Sequence, residues 1–242
     1  MKKFGLIGKN ISYSFSRKFF QEKFNQLQID ATYENFDLQH IEELKLVLQK
    51  NKSLNGLNVT IPYKESILPF LDELSPEAQQ IQAVNTIKIS NNQLIGYNTD
   101  AFGFMKSLFP ILEKQHTHAL ILGTGGASKA VANALKSMGI EYRFVSRNPQ
   151  QQDLAYADLD ETIIQEHQLI INCTPVGTHP KVKESPALHY QFLESSHLLY
   201  DLVYNPPITE FLAKGKIRGC SIYNGKKMLE YQAERAWQIW NE

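Results

Sequence analysis

A short glycine-rich segment in the second half of the sequence has the residue types and spacing that suit phosphate binding. The segment Gly123-Thr-Gly-Gly-Ala-Ser128 directly follows the apolar run HALIL, and a helical pattern follows it. Gly123 permits a tight turn, and Gly125 lets backbone amides approach a pyrophosphate, while the helix start adds its dipole and unpaired N–H groups. The pattern predicts a dinucleotide site at a strand–turn–helix junction, and a tight turn without a ligand is the alternative interpretation.

The residues after the next predicted strand indicate which dinucleotide binds. An NAD site commonly has Asp or Glu about 20 residues past the glycine segment, where the carboxylate holds the ribose 2′-hydroxyl. Here the segment is Val145-Ser146-Arg147-Asn148, which has no acid. The Arg147 guanidinium is suited to a charge-assisted pair with a 2′-phosphate. The segment therefore favours NADP over NAD, and a solvated loop arginine is the competing interpretation.

A set of polar motifs runs along the chain in a definite order. The motifs are Ser14-Phe-Ser16, Asn58-Val-Thr-Ile-Pro-Tyr-Lys64, Asn85-Thr86, Asn98-Thr-Asp100, Asn172-Cys-Thr-Pro-Val-Gly177, Asp201-Leu-Val-Tyr204-Asn-Pro and Asn224-Gly-Lys-Lys-Met-Leu-Glu-Tyr-Gln232. With the glycine segment, this ordered set resembles the shikimate dehydrogenase family, which includes shikimate/quinate dehydrogenases, over essentially the whole chain. NVTIPYK and NTD together are highly specific for that family, whereas the glycine segment alone is not.

The resemblance implies the reversible, NADPH-dependent reduction of 3-dehydroshikimate to shikimate in aromatic amino-acid biosynthesis. Hydride transfer to a ketone leaves an alkoxide that must gain a proton, so the site needs a positioned acid. Lys64 matches the catalytic lysine of the family, and Asp100 matches the acid beside it. Either residue is a candidate for the proton carrier. Taken singly, Lys64 is typical of a solvated charge, and Asp100 is typical of a cap for a helix over 101–112.

The resemblance also assigns polar side chains to the two ligands. Ser14 and Ser16 match the serine pair that holds the substrate carboxylate, and either serine is equally suited to cap the first helix. Thr60, Asn85 and Gln232 match positions that hydrogen-bond the ring hydroxyls or the carboxylate. A further match, Tyr204, lies near the substrate. The positions expected beside the dinucleotide are Gly123, Gly125, Gly126, Ala127, Ser128, Ser146, Arg147, Asn172, Thr174 and Gly225.

Departures from the family pattern leave two alternative functions open. Arg17 stands where proline is common, and no second basic residue follows Arg147 within residues 149–152, so we expect a modest preference for NADP. The first alternative is a quinate/shikimate dehydrogenase that uses NAD, which the missing acid after Val145 disfavours. The second is a catalytically inactive regulator that binds a dinucleotide on the same fold. The presence of both candidate proton carriers weighs against that regulator.

The elements that must position these residues are predicted to form two α/β domains. In the first hundred residues strand-like and helix-like patterns alternate, and TIKIS and QLIGY flank a two-residue hairpin turn at Asn91-Asn92. A second α/β series starts at about residue 118. We predict a mostly parallel α/β substrate domain of residues 1–101 and 225–242. Residues 102–224 are predicted to form a Rossmann-type dinucleotide-binding domain.

Composition excludes several other classes of protein. The 242 residues include 25 Lys+Arg and 25 Asp+Glu, so there is no basic surplus of the kind that nucleic-acid binding requires. No apolar stretch approaches the roughly 18 residues that suggest a membrane span. The two cysteines, Cys173 and Cys220, belong to no metal-binding pattern. We therefore expect a cytoplasmic enzyme, a monomer or homodimer, that binds small molecules and NADP(H) and holds no metal.

Overall fold

The computed structural model describes residues 1–11 and 14–242, which form two compact α/β units. The first unit comprises Met1–Thr99 and Gln232–Glu242, and the second comprises Asp100–Tyr231. The final helix therefore contributes residues to both units. The domain boundaries predicted after residue 101 and before residue 225 lie near these two points. The α/β class predicted for both units is confirmed.

The first unit is built on a mixed sheet. Its elements are β1 (Lys2–Gly8), α1 (Phe15–Gln26), β2 (Ala31–Asp37), α2 (Leu44–Lys50), β3 (Leu54–Val59), β4 (Glu73–Leu74), α3 (Pro76–Ile81), β5 (Thr86–Ser90) and β6 (Gln93–Tyr97). The strand order is β2-β1-β3-β5-β6-β4. Strands β2, β1 and β3 are parallel, whereas β5 is antiparallel to both β3 and β6. The sheet thus combines a parallel unit with an added hairpin, as the sequence predicts.

Local turn chemistry explains the hairpin between β5 and β6. Asn91 and Asn92 have φ angles of 52° and 63°, in the left-handed region that asparagine tolerates better than most residues. Two consecutive residues with positive φ form the turn whose twist matches that of the flanking strands. The two-residue hairpin predicted from Asn91-Asn92 is confirmed.

The segment LQHIEELKLVLQK predicts a single helix over residues 38–50, and this prediction is wrong in its first turns. The chain instead forms a 3-10 turn over Ile41–Glu43 and only then enters α2. The Glu43 carboxylate accepts hydrogen bonds from the backbone N–H groups of Gln39 and His40, at 3.0 and 2.9 Å. These contacts satisfy backbone donors ahead of the helix and hold that stretch in a cap geometry.

An aromatic cluster forms one core of the first unit and includes the end of the final helix, α8 (Lys226–Asn241). Phe4 of β1 stacks on Trp240 with ring centroids 4.7 Å apart, and Phe20 of α1 stacks on Tyr33 of β2 at 4.8 Å. Ala233 and Ala236 lie fully buried in the same cluster. The sequence predicts an apolar stripe of Leu229, Ala233, Ala236 and Trp240 on this helix, and the C-terminal part of that stripe packs in this cluster.

The second unit is a doubly wound parallel sheet. Its elements are α4 (Asp100–Leu108), β7 (His118–Leu122), α5 (Gly126–Ser137), β8 (Glu141–Ser146), β9 (Leu154–Ala155), α6 (Glu161–Glu166), β10 (Leu169–Asn172), β11 (Leu198–Asp201), α7 (Glu210–Ile217) and β12 (Ser221–Asn224). The strand order β12-β11-β10-β7-β8-β9 is the Rossmann order, with β7 as the first strand. All five pairings are parallel. The order reverses between β7 and β10, where such folds bind ligands at the carboxyl ends of the strands.

Local residues determine where two helices of the second unit end. The sequence predicts Gly139 as the left-handed C′ residue of the helix after the glycine segment, and Gly139 has φ of +71° directly after the Met138 C-cap of α5. The helix predicted over 101–112 ends earlier, at Leu108, because Pro110 lies in a 3-10 turn over Phe109–Ile111. Among the helices of the described ranges, none has the length and apolar character that crossing a membrane requires.

Gly56 of β3 provides a test of the aromatic packing. A Cβ at this position would overlap the Trp240 indole, whose N–H donates to the Ile87 carbonyl at 3.0 Å. We expect Gly56→Ala to lower the free energy of unfolding by about 1–3 kcal/mol, because the indole must move from its hydrogen bond. Urea unfolding followed by tryptophan fluorescence measures the change. Ser53→Ala, in the exposed turn before β3, is the control and should stay within about 0.5 kcal/mol of the unchanged protein. Equal stability of the two variants would contradict the packing.

Candidate active site

The glycine segment of the second unit has the geometry of an anion site. Gly123 follows β7 with φ of +102°, a conformation that favours glycine, and its N–H donates to the Val145 carbonyl at 2.8 Å. Gly125 is the N-cap of α5, and a Cβ there would meet no atom within 4 Å. The helix has no side-chain cap and no acidic residue in its first turn, which contains Gly126, Ala127 and Ser128. The open space and the unsatisfied N–H groups therefore fit the diphosphate of a dinucleotide.

Arg147 occupies the position after β8 that distinguishes the two nicotinamide dinucleotides. Its side chain is exposed, and within residues 1–11 and 14–242 no carboxylate pairs with it. The preceding Ser146 accepts a hydrogen bond from the Asn148 N–H at 3.2 Å. Burial raises the pKa of the nearby Tyr156 phenol, and the positive charge of Arg147 opposes that shift. The position thus presents an unneutralised positive charge, which suits a 2′-phosphate.

A hydrogen-bonded cluster joins the carboxyl ends of β10 and β11. The Asn172 amide donates to the Asp201 carboxylate at 3.0 Å, and its oxygen accepts from the Thr174 hydroxyl at 2.6 Å. Asp201 also accepts from the Val203 N–H at 3.0 Å and from the hydroxyl of Thr209, the N-cap of α7. Asn172 and Thr174, both predicted beside the dinucleotide, are therefore hydrogen-bonded to each other, and Asn172 is held in turn by the Asp201 carboxylate, which has no role predicted from the sequence.

Asp201 is a fully buried acid in this cluster. Burial raises its pKa to about 6, and the hydrogen bonds from Thr209, Val203 and Asn172 oppose the shift. The carboxylate is therefore expected to change protonation state between weakly acidic and neutral pH. It ties together the two loops that leave the sheet on the side of the glycine segment.

Three other predicted residues of the second unit have different surroundings. Asp100 is buried and is the first residue of α4, so the helix it was expected to cap begins at Asp100 itself. Tyr204 is 37% exposed. Gly225 is buried ahead of α8, where a Cβ would overlap the Leu202 carbonyl, so close packing alone requires glycine there.

In the first unit, a buried polar network brings together residues that are far apart in the sequence. The Asn85 amide donates to the Gln232 side-chain oxygen at 3.4 Å and to the Thr99 hydroxyl at 2.9 Å. The Asn85 oxygen accepts from the Thr99 N–H at 2.7 Å and from the Thr86 hydroxyl at 3.2 Å. Asn58 donates to Thr86 at 3.2 Å and to the Asn85 carbonyl at 3.3 Å. The predicted substrate residues Asn85 and Gln232 are therefore direct neighbours.

The network continues to the start of α1 through Tyr33. The Tyr33 hydroxyl donates to the Asn58 oxygen at 2.7 Å. Burial raises the pKa of the Tyr33 phenol, and a hydrogen bond with the Ser16 side chain opposes that shift. Ser14 is the N-cap of α1, and its hydroxyl oxygen accepts from the Arg17 N–H at 3.3 Å, which confirms the capping role considered for this serine pair.

Thr60 and Lys64 lie on the segment that leaves β3. The Thr60 N–H donates to the Ile7 carbonyl at 2.9 Å, and the Lys64 carbonyl accepts from the Val84 N–H at 2.8 Å. Val84 directly precedes Asn85, so the backbone places Lys64 beside the strand that carries Asn85. Both side chains are half-buried.

Sequence reasoning assigns no role to five residues that the site contains. These are Tyr33, Asn58, Thr86, Thr99 and Asp201, all of which are buried. Four of them stand inside or beside the quoted motifs, so their polarity at the ends of apolar strands is the signal that could have selected them. Tyr33 carries no such signal, because a tyrosine in a strand is ordinarily a packing residue.

Comparison with known proteins shows similarity over almost the whole chain. Residues 6–87 match a family model described as the shikimate dehydrogenase substrate-binding domain. A protein of Caldicellulosiruptor saccharolyticus named shikimate dehydrogenase (NADP(+)) is 36% identical, covering 99% of this chain and 92% of its own length. A Clostridium botulinum protein of the same name is 38% identical, covering 98% of this chain and 95% of its own length.

Solved structures agree with this similarity. Shikimate dehydrogenase from Aquifex aeolicus has a TM-score of 0.89 and 32% identity, covering 100% of this chain and 92% of that one. Shikimate 5-dehydrogenase from Thermus thermophilus, in complex with NADP(H) and shikimate, has a TM-score of 0.88 and 33% identity, covering 99% and 93%. Quinate dehydrogenase from Corynebacterium glutamicum, in complex with NAD, has a TM-score of 0.87 and 26% identity, covering 99% and 93%.

The raised pKa of Asp201 predicts a pH-dependent difference in stability. Because its folded pKa, about 6, exceeds the ordinary value of 3.8, its contribution to stability is present at low pH and lost as pH rises through 6. Asp201→Asn cannot ionise, so between pH 4.5 and 7.5 its free energy of unfolding should gain about 2 kcal/mol relative to the unchanged protein. Urea unfolding at both pH values measures this gain. Glu194→Gln, at an exposed acid, controls for loss of a charge, and an equal gain there would refute the assignment.

Proposed function

The chain belongs to the shikimate dehydrogenase family, and from that premise we propose that it catalyses the reversible, NADPH-dependent reduction of 3-dehydroshikimate to shikimate. The observation that carries the proposal is its likeness, over nearly the full chain, to a structure that holds both NADP(H) and shikimate. The glycine segment and the buried amide–hydroxyl network supply the two kinds of binding chemistry that this reaction requires. We assign substrate binding to residues 1–101 and 225–242, and dinucleotide binding to residues 102–224.

The proposed dinucleotide site uses groups of the second unit. Backbone N–H groups at the start of α5 would bind the diphosphate, since neither a side chain nor an acid competes for them. Arg147 would pair with the 2′-phosphate, and Ser146 would lie beside it. Asn172 and Thr174 would line the site from the end of β10. When bound, NADPH supplies the hydride.

The proposed substrate site uses the network of the first unit. Asn85 and Gln232 would hydrogen-bond ring hydroxyls, and Thr60 would add a hydroxyl from the end of β3. Ser14 and Ser16 would hold the carboxylate at the start of α1. A site that buries so many polar groups rejects analogues without the matching hydroxyls, because its own donors and acceptors would be left unpaired.

Lys64 and Asp100 are the groups we propose for proton transfer. Reduction of the ketone creates an alkoxide oxygen, and the Lys64 ammonium is suited both to stabilise that charge and to deliver a proton to it. The Asp100 carboxylate would accept a hydrogen bond from a substrate hydroxyl. Reversal of these steps gives the oxidation of shikimate.

A quinate dehydrogenase that uses NAD is the second candidate function. The likeness to the Corynebacterium glutamicum structure, which holds NAD, favours it. Against it, no acid follows β8 and Arg147 carries an unpaired charge at that position. We propose the NADP enzyme, acting in the cytoplasm as a monomer or homodimer.

Turnover tests the proposed reaction directly. Absorbance of the reduced nicotinamide is followed with shikimate or quinate, each crossed with NADP or NAD, and the fastest reaction should be that of shikimate with NADP. Lys64→Ala should reduce kcat by about 10²–10⁴-fold, because the proton transfer loses its positioned group. Lys52→Ala, at an exposed lysine of the same unit, should leave kcat unchanged. Faster turnover of quinate with NAD would favour the second candidate, and unaltered kcat in Lys64→Ala would exclude Lys64 from proton transfer.

Arg147→Ala tests the preference for NADP. Loss of the guanidinium should raise KM for NADP by about 10–100-fold and leave KM for NAD within about twofold, because only NADP carries the 2′-phosphate. Steady-state kinetics with shikimate fixed measures both constants. Arg143→Ala removes the same charge from an exposed position on β8 and should change neither. Equal effects of Arg147→Ala on the two dinucleotides would show that the arginine does not read the phosphate.

A further inference from the structure

The Tyr33 hydroxyl is a polar group placed deep in the first unit. Tyr33 lies on β2 with 2% of its surface exposed, and its ring stacks on Phe20 at 4.8 Å with planes 15° apart. Phe20 follows Ser16 by four residues on α1, so both lie on the helix face that meets Tyr33. A phenylalanine would fill the same space, so packing alone does not require the hydroxyl.

The direction of each hydrogen bond around Asn58 follows from its partners. The Asn85 carbonyl can only accept, so the Asn58 nitrogen must face it, at 3.3 Å. The Asn58 oxygen then faces Tyr33, whose hydroxyl must donate to it at 2.7 Å. The same Asn58 nitrogen donates to Thr86 at 3.2 Å. Tyr33 therefore supplies the donor that the Asn58 oxygen needs in this orientation of the amide.

The orientation of Asn58 is transmitted to Asn85. The Thr86 hydroxyl accepts from Asn58 and donates to the Asn85 oxygen at 3.2 Å, so the two amides are linked through one hydroxyl. Asn85 in turn contacts Gln232 at 3.4 Å. On its other side, the Tyr33 ring packs on Phe20, one helical turn after Ser16 on α1. The Tyr33 hydroxyl is thus linked through Asn58 and Thr86 to the Asn85 amide.

We propose that Tyr33 is a positioning residue for shikimate, acting through Asn58 on Asn85. The inference rests on the proposed function, which assigns Asn85 and Gln232 to the substrate. Without the phenol hydroxyl the Asn58 oxygen has no donor in this network, and its amide is free to turn away from Asn85. The substrate would then meet amides that must be reoriented at the expense of binding energy.

Tyr33→Phe removes only the hydroxyl and keeps the stacked ring. We expect KM for shikimate to rise about tenfold, KM for NADP to stay within about twofold, and kcat to fall by less than KM rises. The shikimate-induced rise in melting temperature should shrink, whereas the NADP-induced rise should persist. The split between the two ligands is a signature that a general loss of stability does not produce.

Tyr63→Phe is the matched control. Tyr63 is also buried in the first unit, and its hydroxyl donates to the Leu38 carbonyl at 2.7 Å, outside the network. It should lose comparable stability with both KM values unchanged. If Tyr33→Phe loses stability but keeps KM for shikimate, Tyr33 has a structural role only and the proposal is overturned. The same holds if both tyrosine variants raise KM for shikimate equally.

Thr86→Val provides a second, independent variant should Tyr33→Phe not fold. Valine has nearly the shape of threonine but lacks the hydroxyl that links Asn58 to Asn85, so it should raise KM for shikimate selectively as well. An unchanged KM in Thr86→Val would overturn transmission through Asn58. Failure of the unchanged protein to oxidise shikimate with NADP would instead overturn the proposed function, and the inference with it.

Discussion

The buried side chain of Asn85 imposes the constraint on which the first unit depends. A carboxamide inside a protein costs free energy unless its donors and acceptors find partners. Asn85 finds them on Thr86, Thr99 and Gln232, which lie on β5, the segment ahead of α4 and α8. Satisfying one amide thus requires that the segment ahead of α4 and the final helix both meet the start of β5. The polar groups brought together there are the ones that suit a polyhydroxylated substrate.

The second unit contains two opposite cases of the same rule, that polar groups need hydrogen-bond partners. Asp201 is enclosed by three donors, and its hydrogen bonds hold the loops after β10 and β11 in one arrangement. Helix α5 follows β7, the strand next to β10, and its N-terminus has N–H donors that no side chain satisfies. A satisfied cluster gives rigidity, and an unsatisfied helix end gives affinity for an anion. This edge of the sheet therefore combines a rigid hydrogen-bonded cluster with a helix N-terminus that is open to a phosphate.

Much of the fold is predictable because many elements carry local signals. Asn91-Asn92 predicts its hairpin, and Gly139 predicts the end of α5, since each needs a backbone conformation that few residues adopt. Six short elements were not predicted, because strands of two to four residues and helices of six to eight residues show little periodicity. They are β4, β9, β12, α3, α6 and α7. The early start predicted for α2 was wrong because Glu43 caps the chain from within the pattern.

The sequence by itself determined the turns, the amphipathic helices, the glycine segment and the ordered motifs, because each depends on residues a few positions apart. Only the tertiary structure decided that Asn85 meets Gln232, 147 positions away, and that the Tyr33 hydroxyl donates to Asn58. It also decided the environment of Asp201, whose raised pKa follows from burial. Hydrogen bonds act through space and over about 3 Å, so spacing along the chain cannot reveal them. The burial of a side chain likewise depends on segments that are distant in the sequence.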